Sequence, residues 1–324
     1  MTVRPLGGDD AGLLDRLIDA YPFNPYRNYR LVSRRRQAAV LRAEIDRAIE
    51  ATDDRLAMVA GDGDRRVVAV CRSLPWDTNF FGLGMARLDY LLRGADSDRP
   101  TMTAAVEAAL AAARARGIQH VAARLDVADV DAVAVLEEQG FRLMDALVTY
   151  LYHPKRPPPP VVKAVGRVRT FLPEDAEQIL DITREAYSGF RGRFHLDPHV
   201  PSDRAEAMYM EWARKCCTGE RADRLFVAEA EPGRLNGWAS VRRVEPASTT
   251  GGVPIFLGGL GACRPDRPGA YSALIRAAAA ENHAAGAATE AQTQNYNFKT
   301  IRVYESVGAQ YVRGDYTFHA WLES

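Results

Sequence analysis

The pattern of apolar and polar positions in the second half of the chain predicts a mixed α/β domain. Short apolar runs bounded by glycine, proline or polar clusters are typical of strands. They lie near Val168 and over 225–230, 237–244, 255–263, 287–293 and 311–321. Helix-start signals predict helices after Pro173, over 202–217 with Ser202 as N-cap, from Pro268, and through Tyr304. The central strand–helix–strand supplies a parallel pair in an otherwise largely antiparallel, mixed sheet flanked by helices.

The first half of the chain repeats the second half. Equivalent residues lie 168 positions apart in four places: Asp98 and Asp266, Glu137 and Glu305, Gly140 and Gly308, Thr149 and Thr317. A constant offset over so many residues indicates two copies of one fold.

A proline run separates the two copies. It reads His153-Pro154-Lys155-Arg156, followed by four prolines. Because prolines lack backbone donors and favour an extended path, neither a helix nor a central strand is expected there. The predicted domains are 1–152 and 165–324, joined by a linker at 153–164.

Composition narrows the range of partners. Lys plus Arg and Asp plus Glu both number 42, so no global basic field is available for nucleic acid or an anionic membrane. The four cysteines show neither paired metal spacing nor disulfide density. Early charges such as Arg4 and Asp9 argue against a signal peptide, and the alanine-rich stretches are too charged to span a bilayer. We therefore expect a cytoplasmic protein.

The start of the helix at Pro268 is the first candidate binding element. The sequence Arg267-Pro268-Gly269-Ala270-Tyr271-Ser272 directly follows an apolar strand. Gly269 allows close backbone approach, and the unpaired N–H groups of a helix start attract phosphate. An ordinary capped helix would carry the same signals, so both interpretations stay open from local sequence.

Comparison of the copies favours function in the second one. Gly269, Tyr271, Asn297 and Tyr304 correspond to Thr101, Thr103, Asp129 and Leu136. Each replacement removes something that an anionic ligand or a proton transfer would use, because threonine crowds, aspartate repels phosphate and leucine holds no transferable proton. The first copy is therefore predicted to be degenerate.

The order of elements and the motifs resemble the GNAT acyltransferase superfamily in a tandem arrangement. Residues 266–271 match the family's phosphate box, Arg/Gln-x-x-Gly-x-Gly/Ala, with one glycine kept, the arginine shifted by one, and Tyr271 in the last place. A second set of motifs resembles the TDP-fucosamine (TDP-4-amino-4,6-dideoxy-galactose) N-acetyltransferases. It comprises Leu74-Pro75-Trp76-Asp77, Phe80-Phe81-Gly82, 136–141, Arg193-Phe194, Tyr209-x-x-Trp212, and Thr293-Gln294-x-x-Asn297 with Tyr304.

This resemblance implies acetyl-CoA as the acyl donor, Tyr304 as the acid that protonates the departing thiolate, and Asn297 as a contact to the pantetheine arm. In such a reaction an amine attacks the thioester directly, so no nucleophilic side chain is required. Backbone N–H groups around Leu260, Gly261 and Ala262 are expected to stabilise the charge that develops on the carbonyl oxygen. Three residues are open candidates for the base: Glu229, Glu231 and His195.

The segment 190–195 is the candidate substrate loop. Arg191 and Arg193 beside Phe190 and Phe194 are suited to a pyrophosphate and a stacked base, and His195 follows them. A solvated basic loop is the alternative interpretation. No metal is predicted, because Pro198 disfavours a helix that would align His195 with a second histidine four residues on.

The sequence thus predicts an N-acetyltransferase active in its second copy. The expected acceptor is a small-molecule amine, with a nucleotide-linked amino sugar as first choice. Another amine metabolite, such as an antibiotic intermediate or a thiol precursor, is one alternative, and a non-catalytic binding or scaffold protein is another. A homodimer is left open.

Overall fold

The computed structural model describes residues 1–50, 56–157, 159, 166–267 and 269–322. Two compact units are present, namely Met1–Ala146 with Gly314–Ser324, and Leu147–Arg313. Half of the proline-rich linker predicted at 153–164, namely 158 and 160–164, lies outside the described residues, as does Pro268. The described linker residues form neither helix nor strand. None of the helices in the described ranges is both long and apolar enough to cross a membrane.

The first unit is built on an antiparallel sheet with one parallel pair. Its chain order is β1 (Val3–Pro5), α1 (Ala11–Ala20), α2 (Arg34–Glu50), β2 (Met58–Ala60), β3 (Val67–Ser73), α3 (Pro75–Phe81), β4 (Gly84–Arg93), α4 (Arg99–Arg114), β5 (Ile118–Asp126), α5 (Val130–Glu138) and the start of β6 (Arg142–Tyr152). Strands β1 to β5 are neighbours in sequence order, and only β4 and β5 run parallel.

The second unit repeats this plan. Its chain order is β7 (Arg167–Thr170), α6 (Ala176–Tyr187), α7 (Arg193–Leu196), α8 (Ser202–Cys217), β8 (Arg224–Glu231), β9 (Arg234–Arg243), α9 (Ala247–Gly251), β10 (Ile255–Cys263), α10 (Ala270–Ala284), β11 (Ala288–Gln294), α11 (Phe298–Ser306) and the start of β12 (Gln310–Trp321). Strands β7 to β11 are again neighbours in sequence order, with β10 and β11 parallel.

Each unit completes its sheet with the end of a strand that begins in the other unit. Leu147–Tyr152 of β6 pairs antiparallel with β11, and Asp315–Trp321 of β12 pairs antiparallel with β5. The sequence repeat makes this exchange feasible, because the two strands carry equivalent residues at an offset of 168. The domains predicted from the sequence follow chain order and do not include this exchange.

Most helix and strand predictions are confirmed, including 202–217 and 255–263 to the residue. Two details differ. Ser202 is the first helical residue of α8 and not its N-cap, which is Pro201, so the serine side chain makes no cap. Helix α10 begins at Ala270, because Gly269 has a left-handed backbone (φ 95°) and serves as its N-cap.

Helices cover both faces of the second unit's sheet and so fix the position of its central strands. On one face, α6 and α8 pack through Ile179, Ile182 and Ala213 against Trp238 and Leu260. On the other face, Ala270, Leu274 and Ala278 of α10 pack against β8 and β9. Strand β10 is therefore held on both faces where it leaves its parallel partner.

Candidate active site

The parallel strands β10 and β11 separate part-way along their length. Their ladder ends at Gly258 and Ala291, although β10 runs on to Cys263 and β11 continues along β6 to Gln294. A register shift against β9 between Gly258 and Gly261 accompanies the separation. A bulge of this kind turns a strand away from its neighbour. The result is a gap between the ends of two parallel strands.

The pairing of β10 with β9 shows which backbone N–H and carbonyl groups of β10 point into this gap. Arg264 donates its N–H to the carbonyl of Asn236 on the β9 side. Since residues of an antiparallel ladder alternate in direction, Ala262 also faces β9, and Gly261 presents its N–H and carbonyl to the opposite side. Of Gly261 and Ala262, Gly261 is therefore the residue whose N–H faces the gap, while Leu260 lies within the register shift.

Two hydroxyls fix this part of β10. Tyr187 of α6 donates to the carbonyl of Gly261 at 3.0 Å, and Ser240 of β9 donates to that of Leu260 at 2.7 Å. A Cβ at Gly261 would lie 3.0 Å from the Trp238 carbonyl oxygen, tighter than nearly all real contacts. Two hydrogen bonds thus hold the strand, and a side chain at Gly261 would require its neighbours to shift by a few tenths of an ångström.

Helix α10 starts after this strand, as expected for an anion site. Its first-turn N–H groups, which include those of Tyr271 and Ser272, have no partners within the helix. The Arg267 side chain is half-exposed and lies 3.4 Å from Asp266, and the Ser272 hydroxyl accepts from Arg276 at 3.3 Å. Arg267, Gly269, Ala270, Tyr271 and Ser272 remain predicted donor-site residues.

Tyr304 lies on α11 and is only 4 % exposed. Its hydroxyl donates to the carbonyl of Gln292 on β11 at 3.3 Å and lies 3.2 Å from the hydroxyl of Tyr271. Burial raises the pKa of Tyr304 to about 12, while the hydrogen bond with Tyr271 acts in the opposite direction. The phenol is therefore held protonated beside the part of β11 that has left β10.

Asn297 has a structural role that sequence reasoning did not assign. It is the N-cap of α11, with its carbonyl oxygen 3.4 Å from the Thr300 N–H and its amide nitrogen 3.0 Å from the Thr293 hydroxyl. A contact to pantetheine therefore remains a prediction for a side chain that already has two partners.

The predicted substrate loop contains one turn of helix, α7, over Arg193–Leu196. Tyr296, next to Asn297, donates to the Arg191 carbonyl at 2.8 Å, which connects the loop to the β11–α11 turn. Phe194 is 2 % exposed, with the Arg193 guanidinium 4.2 Å from its ring centre. Arg191 is exposed and Arg193 is partly exposed, whereas the Phe194 ring is covered.

The structure separates the three candidate bases. Glu229 accepts the Gly233 N–H at 2.7 Å and pairs with Arg169, and these contacts lower its pKa. Glu231 lies exposed in the same β8–β9 hairpin. His195 stacks on Tyr209, and neither of its buried ring nitrogens has a hydrogen-bond partner among the described residues.

The environment of His195 favours its neutral form. Burial lowers its pKa, and Arg191 adds to this effect, while Glu206 opposes it. Tyr209 in turn stacks on Tyr187 at 4.3 Å between ring centres. The stacked rings therefore connect His195, through Tyr209, with Tyr187, whose hydroxyl donates to the Gly261 carbonyl.

Tyr187 is the site residue that sequence reasoning missed. The ion pairs Arg4–Asp10 and Arg169–Asp175 are equivalent in the two units at an offset of 165 (4 and 169, 10 and 175). At the same offset Tyr187 falls on Pro22, so the comparison of copies could have identified it.

The equivalent gap of the first unit is closed by its own side chains. The β4–β5 ladder ends at Leu88 and Ala123. Beyond it, the Arg93 guanidinium bonds to both oxygens of Asp129 at 2.9 and 2.5 Å and to the Leu91 carbonyl at 3.4 Å. Arg93 and Asp129 are 8 % and 1 % exposed, so the ion pair is buried.

Comparison with known proteins gives the fold. No protein-family model matches the chain. A GCN5-related N-acetyltransferase from Sphaerobacter thermophilus aligns over 100 % of this chain and 96 % of its own, with a TM-score of 0.62 and 16 % identity. A tandem GNAT protein from the clavulanic acid biosynthesis pathway aligns over 100 % and 99 %, with a TM-score of 0.54 and 16 % identity. The chain has the tandem GNAT fold that the sequence predicted.

One curated relative also matches. The spore coat polysaccharide biosynthesis protein SpsD of Bacillus subtilis is 27 % identical over 165 residues, which make up 46 % of this chain. The chain spans about half the length of that relative, 48 %.

Proposed function

We propose that the second unit is an acetyl-CoA-dependent N-acetyltransferase that acts on the amine of a small molecule. The observation that carries this proposal is the buried Tyr304 hydroxyl beside the gap where β10 and β11 separate. A protonated phenol at this point is suited to a reaction in which a thiolate leaves. The GNAT fold of the chain supports the same chemistry.

The residues present fit the acyl donor. The start of α10 offers the N–H groups of its first turn and a positive dipole end to phosphates, and Gly269 is exposed. The Gly261 N–H would donate to the thioester carbonyl oxygen. Tyr271 is the departure, because its ring stands where the family's phosphate box has glycine or alanine.

Two side chains of the second unit would handle the protons of the reaction. The amine nitrogen would form a bond to the carbonyl carbon, the carbon–sulfur bond would break with its electron pair on sulfur, and Tyr304 would supply the proton to sulfur. His195, whose pKa is lowered and whose ring nitrogens have no hydrogen-bond partner in the described part of the chain, is our proposed base for the proton that the amine gives up. No covalent enzyme intermediate is needed.

A nucleotide-linked amino sugar is our first choice of acceptor. The motifs shared with TDP-fucosamine N-acetyltransferases and the polysaccharide role named for SpsD support it. Arg191 and Arg193 are suited to a pyrophosphate. The clavulanic acid pathway named for the tandem GNAT relative supports the second candidate, an antibiotic intermediate or related amine. A non-catalytic scaffold is the third.

The experiment follows release of free CoA thiol, with acceptors offered in matched pairs. A nucleotide-linked amino sugar, the same amino sugar without its nucleotide, and an unrelated amine are compared. We expect kcat/KM to fall in that order, and Arg193→Ala to raise KM for the nucleotide-linked sugar only. Equal turnover of the nucleotide-linked and the free amino sugar would show that the enzyme does not recognise the nucleotide. Failure of the wild type to bind acetyl-CoA would refute the transferase and favour the non-catalytic scaffold.

A further inference from the structure

The contact between Tyr271 and Tyr304 has only one consistent direction. A tyrosine hydroxyl has a single proton to donate. Tyr304 donates its proton to the Gln292 carbonyl at 3.3 Å, and a carbonyl can only accept. In the 3.2 Å contact between the two hydroxyls, Tyr271 is therefore the donor and Tyr304 the acceptor.

Burial alone would make Tyr304 a poor acid. A free thiol has a pKa of about 8.5, and the pKa of Tyr304 is about 12 even with the Tyr271 hydrogen bond, so the phenol holds its proton more tightly than the thiol that it would form. A hydrogen bond that strengthens as Tyr304 loses its proton counteracts this mismatch, because bonds to charged oxygens are about twice as strong as neutral ones.

Resting on the function proposed above, we propose that Tyr271 is a positioning residue for Tyr304. Its hydroxyl donates to the Tyr304 oxygen and stabilises the negative charge left there when the proton passes to the departing sulfur. In that step the O–H bond of Tyr304 breaks, an S–H bond forms, and the phenolate keeps the electron pair. This role explains why a large polar side chain occupies the last place of the phosphate box.

The surroundings of the pair support an ordered arrangement. Tyr271 and Tyr304 pack in one cluster with Tyr150, Ile275 and Ile301. Burial raises the pKa of Tyr271 well above its usual value, so this hydroxyl keeps its proton and remains a donor. The first copy has Thr103 and Leu136 at the two positions and could not form this pair.

The test titrates residue 304 directly. Tyr304 is replaced by 3,5-difluorotyrosine, a more acidic phenol that titrates below the pH at which the protein unfolds, and its ¹⁹F signal is followed. In the Tyr271→Phe background the midpoint should rise by about one pH unit, because the donor to the phenolate is lost. Loosened packing would instead lower the midpoint, since exposure removes the burial effect. An unchanged or lowered midpoint overturns the proposal.

Tyr150→Phe is the matched control. It removes a hydroxyl from the same cluster, but this hydroxyl bonds to Glu305 at 3.0 Å and not to Tyr304. The midpoint should not move in this variant. In the unlabelled enzyme, Tyr271→Phe should lower kcat ~10-fold with KM for acetyl-CoA unchanged, the pattern of an interaction made in the transition state. The titration does not depend on turnover. An inactive wild type would refute the proposed transferase activity, whereas the shift of the midpoint would still show whether Tyr271 donates to Tyr304.

Discussion

The two units contain the same gap between parallel strands, and they use it differently. Five residues beyond the last parallel pair, counted from Leu88 to Arg93 and from Gly258 to Cys263, the first unit has an arginine and the second a cysteine. Arg93 reaches Asp129, the N-cap of α5, whereas the matching N-cap of α11 is the neutral Asn297. The first gap is filled by an ion pair, and the equivalent positions of the second gap, Cys263 and Asn297, carry no charge.

The comparison of Asp129 with Asn297 separates the helix-capping role of this position from the role of its charge. Asp129 and Asn297 both cap a helix, with Asp129 accepting the Ala132 N–H at 3.1 Å. Capping explains why each copy has a short polar side chain here. The two side chains differ in charge, and the charged one, Asp129, is in the unit that has Arg93 as its partner.

The largest effect is expected at the acid. Tyr304→Phe should lower kcat by ~10²–10⁴ with little change in KM, because the proton is needed only in the transition state. Steady-state kinetics measure this. Leu136→Tyr, the reverse change in the first copy, should create no activity, because Arg93 and Asp129 occupy that gap. A fully active Tyr304→Phe enzyme would mean that another group donates the proton.

The buried ion pair should be the largest stability effect. Arg93→Ala leaves the Asp129 carboxylate buried without its partner and should lower the free energy of unfolding by about 3–5 kcal/mol. Adding Asp129→Asn should recover part of this loss, since an asparagine caps the equivalent helix in the second unit. Urea denaturation of the wild type, the single and the double variant compares them. A loss below about 1 kcal/mol in Arg93→Ala would show that the pair does not hold the gap closed.

The base gives a pH-dependent prediction. The pKa of His195 lies below its usual 6.5, so the neutral ring is available at pH 7 and activity should fall as the pH drops through that lower value. His195→Gln should lower kcat/KM by about 10–100-fold and remove this acid limb. Glu229→Gln should keep the limb. An acid limb that persists in His195→Gln would assign it to another group.

The smallest effect separates the two roles of Asn297. Asn297→Ala should cost about 1 kcal/mol of stability through loss of the α11 cap. Asn297→Asp keeps a capping oxygen and should change stability by less than half of that amount. If Asn297 also contacts pantetheine, Asn297→Asp should weaken acetyl-CoA binding without destabilising the protein. Thermal denaturation and calorimetric titration of the same samples distinguish the two effects.

The sequence predicted the fold well because its signals were local or periodic. Local apolar patterns marked strand 255–263 and helix 202–217, although the expected cap at Ser202 was wrong, and the offset of 168 revealed the repeat. The exchange of strand ends left no local signal, because β6 and β12 have equivalent patterns and fit either sheet.

The site was predicted only in part. Tyr304 stood out through its loss in the first copy. Tyr187 did not, because it reaches Gly261 from a position 74 residues earlier in the chain. Tyr271 was read as a departure from a motif, and its orientation toward Tyr304 is visible only in three dimensions. The buried Phe194 shows that a motif residue can lie in the core.

We propose that, of the two units, only the second has an open acyl-donor site. Calorimetric titration with acetyl-CoA tests it, using the wild type and a variant in which Cys263→Arg and Asn297→Asp transfer the first unit's ion pair to the second. We expect one acetyl-CoA per wild-type chain and no binding to the variant, whose folded structure is verified by circular dichroism. Two sites per chain would mean that the first unit also binds acetyl-CoA, and undiminished binding by the folded variant would mean that acetyl-CoA does not occupy the gap of the second unit.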